Sequence, residues 1–320
     1  MKWSLGRIKI NKMKIAILGG TSHIAKGLIL KFVQKQGDEL SLFVRSEERM
    51  KIFLDEIDGN KNIRIKQFSE LNNDKYDVLI NCVGLNLFGD AASEAKHVFA
   101  LTERYDNLII NYLINNPSSL YINFSSGAVF GTEFNQPVEA ASQAKWDVNN
   151  IKETDYYGIA KLNAEAKHRA LRDHNIVDLR VFGYFSRFID LCARYLVCQI
   201  LTCVKEKRVF VTDNTNIERD YIAPDDLFQL VEKCVEKKGI NVVYDAYSLK
   251  PVSKFEIIDY FVENYGMKYK IDETIDFSSV TGKKSCYYSI NNKAKELGYV
   301  PLYTSLECIM REAQAIKDII

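Results

Sequence analysis

Lys14-Ile15-Ala16-Ile17-Leu18-Gly19-Gly20-Thr21-Ser22-His23-Ile24-Ala25 opens on consecutive apolar residues, breaks at a glycine pair, and resumes with apolar positions at Ile24, Leu28, Ile29 and Phe32. The first run suits a strand buried on both faces, and the later spacing has the period of a helix. The small residues between them let backbone approach whatever lies beyond the strand. A strand, a glycine-containing turn and a helix in that order expose helix N-terminal amides to a phosphate. Gly19, Thr21, Ser22, His23 and Ile24 are therefore expected to touch a dinucleotide. A positive φ would be strained at Ser22, which carries a Cβ.

Outward from this unit the alternation repeats. Strands are expected at Leu40 to Val44, Ile63 to Phe68, Asp77 to Ile80, Leu120 to Phe124 and Val177 to Phe182, with helices through Ser46 to Asp55, Asp106 to Ile114 and Ala160 to Arg172. Continuous apolar strands separated by helices predict an α/β fold, a Rossmann-like doubly wound parallel sheet. Beyond Gly183 the alternation weakens, with helices expected at Phe185 to Val204, Pro224 to Glu236 and Lys254 to Tyr265, and short strands at Arg208 to Thr212 and Asn241 to Tyr244. The expected organisation is a tail over residues 1–12, a dinucleotide-binding domain over 13–182, and a smaller, mainly substrate-binding C-terminal lobe over 183–320. Met13 is a candidate start for the functional chain. Ligands of such sheets sit beyond the carboxyl ends of the strands, which adds Asn81, Val83 and Gly84 to the expected cofactor contacts.

Composition narrows the function. Lys and Arg total 43 against 42 Asp and Glu, a balance that argues against a nucleic-acid partner. The most apolar stretch, Phe182 to Thr202, is interrupted by Arg187, Asp190 and Arg194, so no membrane span is expected. Seven cysteines lie without any C-x-x-C pair, which suits free thiols in a cytoplasmic protein and no metal site.

The second strand ends in Arg45-Ser46-Glu47-Glu48-Arg49. An NAD site would place an acid there for the ribose 2′-hydroxyl, whereas a guanidinium suits a 2′-phosphate. Arg45, Ser46 and Arg49 thus favour NADP(H) over NAD(H). Ser46 also has the form of a helix N-cap, with Glu47 and Glu48 complementing the dipole.

Asn123-Phe124-Ser125-Ser126-Gly127-Ala128 ends the fifth strand, and Tyr157 follows Ser126 by 31 residues. Of 18 tyrosines, Tyr157 alone has a lysine four positions later, Lys161. That spacing puts both side chains on one helix face. Arg219-Asp220-Tyr221-Ile222-Ala223-Pro224-Asp225-Asp226-Leu227 and Glu296-Leu297-Gly298-Tyr299-Val300-Pro301 complete the set of motifs. Through most of residues 13–320 the chain resembles the extended short-chain dehydrogenase/reductases, the superfamily of nucleotide-sugar epimerases, dehydratases and reductases. The resemblance implies a catalytic set of Ser126, Tyr157 and Lys161, with Tyr157 and Lys161 also contacting the cofactor. It implies a nucleotide-sugar substrate held by Ser125, Ser126 and Arg219, and it admits a homodimer; Arg187, whose planar fork also suits phosphate oxygens, is a weaker candidate for the diphosphate. Reduction of a carbonyl needs a proton on oxygen, and a tyrosine, whose ordinary pKa is about 10, serves as donor when a lysine stands beside it. Tyr156 lies off the face of Lys161 and is expected to pack or to touch substrate.

Departures from the family pattern exclude some chemistry. The first turn reads G-x-x-S-x-x-A from Gly19 to Ala25, where the family has G-x-x-G-x-x-G. No acid pair follows Ser126, against 4,6-dehydration. None of His23, His97, His168 and His174 falls where a C3/C5 epimerase needs one, and His168 and His174 are expected at the surface. Gly183 stands where the family usually has a substrate-binding Asn. The leading expectation is NADPH-dependent reduction of the 4-keto group of a nucleotide-linked deoxysugar, a step of surface-polysaccharide precursor synthesis. The alternatives are a 4-epimerase with retained NAD(P), and a non-catalytic NADP-binding regulator.

Overall fold

The computed structural model describes residues 12–59, 62–84, 95–237, 239–274 and 284–316. Most of the expected tail, residues 1–11, lies outside them. Seven strands form one parallel sheet in the order β3-β2-β1-β4-β5-β6-β9. These are β1 (Lys14–Leu18), β2 (Glu39–Phe43), β3 (Ile63–Lys66), β4 (Val78–Asn81), β5 (Leu120–Ser126), β6 (Asn175–Val181) and β9 (Asn241–Asp245). The order turns outward from β1, with β2 on one side and β4 on the other, so the crevice expected of a doubly wound sheet opens above their carboxyl ends.

Alternate residues of each strand feed two cores. Ile15 and Ile17 pack with α1 (His23–Lys35), α2 (Glu47–Glu56) and α6 (Pro224–Glu236), through Leu28, Phe53 and Leu227. Ala16 and Leu18 face the other way, toward Ile109, Tyr112 and Leu113 of α3 (Val98–Asn115). Beside α3 runs α4 (Glu153–Ala170), which begins earlier than the apolar pattern from Ala160 predicts and so takes in Tyr157. Its first turn is anchored by Asp155, whose carboxylate accepts from the Lys152 amide at 2.9 Å.

Three expectations change. Asn241 to Tyr244, expected in the C-terminal lobe, is β9 of the main sheet and pairs with β6. Helix α6, also expected in that lobe, lies on α1 through the Phe32–Phe228 ring pair and the Lys31–Asp225 ion pair at 2.6 Å. The helix expected from Phe185 to Val204 is confined to α5 (Leu196–Lys205). Before it, the Ser186 and Asp190 side chains accept from the Phe188 and Cys192 amides, local bonds that compete with helix. The third strand stops at Lys66, and Phe68 opens a short 3-10 helix instead.

A further core joins α5 to α7 (Lys254–Tyr265) and α8 (Ser305–Gln314) through Ile200, Leu201, Ile257, Phe261 and Ile309. Small ladders connect this lobe to the site. β8 (Glu218–Arg219) lies between β10 (Val252–Ser253) and β12 (Cys286–Tyr287), while β7 (Phe210–Thr212) pairs with β11 (Tyr269–Ile271). Among the described residues no helix is long and apolar enough to cross a membrane.

Candidate active site

The first β-α turn is shaped by Gly19, at φ 76°, where a Cβ would lie 2.9 Å from the Val83 amide nitrogen. Only glycine both reaches this conformation cheaply and lets the turn close on the loop after β4. Ser22 has an ordinary φ of −73°, so the strain considered there does not arise. Its hydroxyl caps α1 by accepting from the Ala25 amide at 3.4 Å. The Ser22 amide bonds Gly19 and the Lys26 amide bonds Ser22, which leaves the His23 and Ile24 amides without a backbone acceptor among the described residues. They sit at the positive end of a 13-residue helix, with Thr21 exposed beside them, and so fit a dinucleotide pyrophosphate. The His23 ring turns inward against Tyr184, with centroids 4.8 Å apart. Burial lowers its pKa to about 4 despite a hydrogen bond with the Ser186 backbone, so the ring is neutral near pH 7.

At the end of β2, Arg45 and Arg49 are exposed. Neither guanidinium has a carboxylate partner among the described residues. Ser46 is the N-cap of α2, its hydroxyl accepting from the Arg49 amide at 3.3 Å. Beyond β4, Val83 and Gly84 reach the surface of the crevice, whereas Asn81 is buried. The Asn81 side chain is engaged within the protein: its oxygen accepts from the Val83 amide at 3.1 Å and its nitrogen donates to the Tyr121 hydroxyl at 3.0 Å.

Ser126 closes β5 and starts a 3-10 turn, Gly127–Phe130, accepting from the Ala128 amide at 3.2 Å. Helix α4 approaches that turn closely because residue 158 is glycine; a Cβ there would fall 2.3 Å from the Ala128 oxygen. Tyr157, next to this contact, is thereby brought to the carboxyl end of β5. Lys161 is buried, donates to the Phe124 carbonyl at 2.8 Å, and holds its ammonium 5.9 Å from the Tyr157 ring centroid. Tyr156 instead packs on Phe99 of α3, with ring centroids 5.7 Å apart.

The C-terminal lobe completes the far wall. Residues 284–289 run beside the loop after β5, with bridges Phe134 to Lys284 and Val138 to Ser289. This delivers Tyr287 to Ser126, hydroxyl to hydroxyl at 3.1 Å, with its ring between Phe134 and Phe182. Arg219 is the ladder partner of Tyr287 and has no carboxylate partner among the described residues; it donates to the Glu218 carbonyl at 2.8 Å. Lys284 sits with its ammonium 4.0 Å from the Tyr287 ring centroid. Burial, reinforced by the charge of Arg219, brings the Lys284 pKa down to about 7.

This crevice combines a helix N-terminus whose free amides fit a phosphate with a Ser, Tyr and Lys gathered from β5 and α4, and the sequence agrees with a known pattern. The profile of the NAD dependent epimerase/dehydratase family matches residues 15–249. The chain belongs to that family. No curated protein matches it significantly in sequence. Among solved structures it is similar to UDP-glucuronic acid 4-epimerase from Bacillus cereus, solved with UDP-glucuronic acid and NAD, at TM-score 0.77 and 15% identity, covering 96% of this chain and 100% of that one. UDP-N-acetylglucosamine 4-epimerase from Methanobrevibacter ruminantium gives TM-score 0.77 and 15% identity over 95% and 97% of the two chains. UDP-glucose 4-epimerase from Thermotoga maritima gives 0.76 and 16% over 94% and 98%. The likeness is one of fold.

Within this family frame several residues expected at the site are placed otherwise. Ser125 points to the opposite side of β5 from Ser126, and its buried hydroxyl donates to Glu165 at 2.5 Å, which Arg180 also grips at 2.6 Å. Arg187 is held by Glu312 of α8, through its backbone amide at 2.9 Å and its guanidinium at 2.8 and 3.0 Å, so its fork is already filled by a carboxylate. Asn81 shapes the loop after β4 by internal bonds. His168, expected at the surface, is completely buried, because Asp106 and Asp178 flank it. His174 is half-buried and His97 exposed. Gly183 has a steric reason: a Cβ would meet the Asp220 carbonyl at 2.4 Å, where the chain leaving β6 bonds the 220–222 segment. Tyr287 and Lys284 were missed. Both lie more than a hundred residues from Ser126 in sequence, and their side chains meet no local motif; only the lobe's docking reveals them.

Proposed function

We propose that the protein reduces the 4-keto group of a nucleotide-linked deoxysugar with NADPH. The observation that carries this reading is the pair of exposed guanidiniums, Arg45 and Arg49, standing beyond β2 without carboxylate partners among the described residues. A ribose 2′-phosphate would neutralise charges that a free ribose leaves unmatched. Bound nicotinamide would supply the hydride. Tyr157 gives a proton to the carbonyl oxygen, and the Lys161 ammonium favours the tyrosinate left behind. Ser126 orients that oxygen by donating a hydrogen bond. Arg219, half-buried and without a carboxylate partner among the described residues, favours an anionic substrate such as a nucleoside diphosphate sugar, and Lys284, buried nearby with a pKa of about 7, would hold a proton more firmly beside such an anion. A step of this kind belongs to the supply of precursors for surface polysaccharides.

A second reading, 4-epimerisation with retained nicotinamide, draws support from the activities named for the three similar structures. Cofactor bookkeeping separates the two. The reductase should purify largely free of nucleotide and consume one NADPH per product when given a 4-keto sugar nucleotide. Interconversion of two 4-epimers by the purified protein, with cofactor already bound and no net change in nicotinamide absorbance, would replace the first reading by the second.

A further inference from the structure

Beneath α3 and α4 lies a charged cluster that neither sugar binding nor proton transfer uses. The His168 ring donates through Nε2 to Asp106 Oδ1 at 2.7 Å and through Nδ1 to the two Asp178 oxygens at 2.9 and 3.0 Å. A carboxylate only accepts, so both ring nitrogens carry protons and the ring is an imidazolium. Asp178 also accepts from Asn123 at 2.7 Å and from Arg169 at 2.8 Å. Asp106 is bound as well by Lys167 at 2.5 Å and by the Tyr121 hydroxyl at 2.8 Å.

From Tyr121 onward the direction of each bond follows from the one before. Tyr121 has one proton, and Asp106 takes it. Its oxygen is left to accept, and the Asn81 amide nitrogen donates to it at 3.0 Å. That choice turns the Asn81 oxygen toward the Val83 amide, which it binds at 3.1 Å. Strand β4 has ended at Asn81, so the side chain replaces a ladder bond. Gly19 of the first turn rests against this same amide. The line of bonds thus runs from α4, which carries Tyr157 and Lys161, to the loop that faces the dinucleotide. Buried ion pairs often exchange for hydrocarbon of equal volume at no loss of stability, so what a charged line adds is direction.

We propose that Asp106, His168 and Tyr121 are positioning residues, which through Asn81 hold the Val83–Gly84 segment in register with Tyr157 and Lys161 for the dinucleotide. The proposal rests on the nicotinamide-binding reading only for its ligand, since the line of bonds exists in the protein alone.

Tyr121→Phe keeps the ring and deletes the linking hydroxyl. In ligand-free protein it should speed hydrogen exchange at the Val83 amide about tenfold while Leu79 and Ile80 keep their protection, and weaken NADPH binding roughly fivefold to tenfold, the worth of one buried hydrogen bond. Asn81→Ala should do the same from the other end. The double variant should bind NADPH no worse than the weaker single one, because both cut one line. Should either variant fold poorly, the other carries the test. Val83 exchange and NADPH affinity both within about twofold of the unaltered protein, with only a lower Tm, would mean that the cluster merely packs and would overturn the proposal. If the unaltered protein binds no nicotinamide nucleotide, the cofactor reading fails, while the exchange measurement still decides whether the line holds Val83.

Discussion

Both faces of the sheet pack hydrocarbon, and the face under α3 and α4 adds a buried cluster of charged and polar side chains. Under α1, α2 and α6 the contacts are hydrocarbon, Ile15, Ile17, Leu28, Phe32 and Leu227 among them. Under α3 and α4 the same sheet buries Asp106, Asn123, His168 and Asp178, each hydrogen-bonded. Apolar packing is non-directional, so it fixes that helices lie on the sheet more firmly than how each is rotated. A matched set of donors and acceptors is satisfied in one arrangement only. The proposed proton donor stands on the helix held in the second way, and the turn proposed to accept phosphate opens the helix held in the first.

The largest effect expected from this contrast is on turnover. Two adjacent tyrosines of α4 differ in surroundings: Tyr157 beside Lys161, Tyr156 against Phe99. Tyr157→Phe should lower kcat by about a thousandfold, the worth of a general acid, and leave NADPH binding within a few-fold. Tyr156→Phe should be mild in steady-state kinetics. A dead Tyr156→Phe enzyme would show that the helix presents its other side.

Stability against pH separates the faces next. Burial by itself would lower the His168 pKa, but hydrogen bonds from its ring to Asp106 and Asp178 outweigh it and raise the pKa to about 9. Because the folded value lies above the unfolded one, this stabilisation is complete below about pH 6.5 and is lost as pH rises through about 9. Denaturant melts at pH 7 and 9.5 should therefore differ by about 2 kcal/mol on this account. Leu28→Ala, on the hydrocarbon face, should cost about 2–5 kcal/mol at both values and leave the difference intact. His168→Gln should flatten it. A pH dependence that survives His168→Gln unchanged would locate its origin elsewhere.

The smallest effect belongs to the rim, where β2 gives way to α2. Arg45→Asp should weaken NADPH by about tenfold relative to NADH, one charge-assisted contact's worth, in equilibrium fluorescence titrations. Comparable affinity of the unaltered protein for the two nucleotides would remove the reason for preferring NADPH.

The hydrocarbon face was legible in the chain because its residues recur with strand and helix periods. β1, the first turn, α1 and β2 follow from local pattern, and Gly19 takes the positive φ that the turn needs. Ser126, Tyr157 and Lys161 were expected from the family resemblance; two of them lie on one helix and the third ends a strand. The polar face was not legible: His168 on a charged helix has the pattern of a surface residue, and its partners come from α3 and β6. Ser125 and Ser126 are neighbours whose fates differ because strand side chains alternate, one meeting Glu165 and the other Tyr287.

The sequence by itself determined the β-α order and the parallel sheet, because each depends on periodicity within one element, and it set Tyr157 and Lys161 on one face of a helix. Only the tertiary structure decided that residues 241–245 complete the sheet, that Glu312 occupies Arg187, that Gly183 clears the Asp220 carbonyl, and that Tyr287 meets Ser126 with Lys284 against its ring. Those outcomes depend on which distant segment lies opposite, and burial then turns a charge that would be solvated alone into one that must find a partner or a ligand.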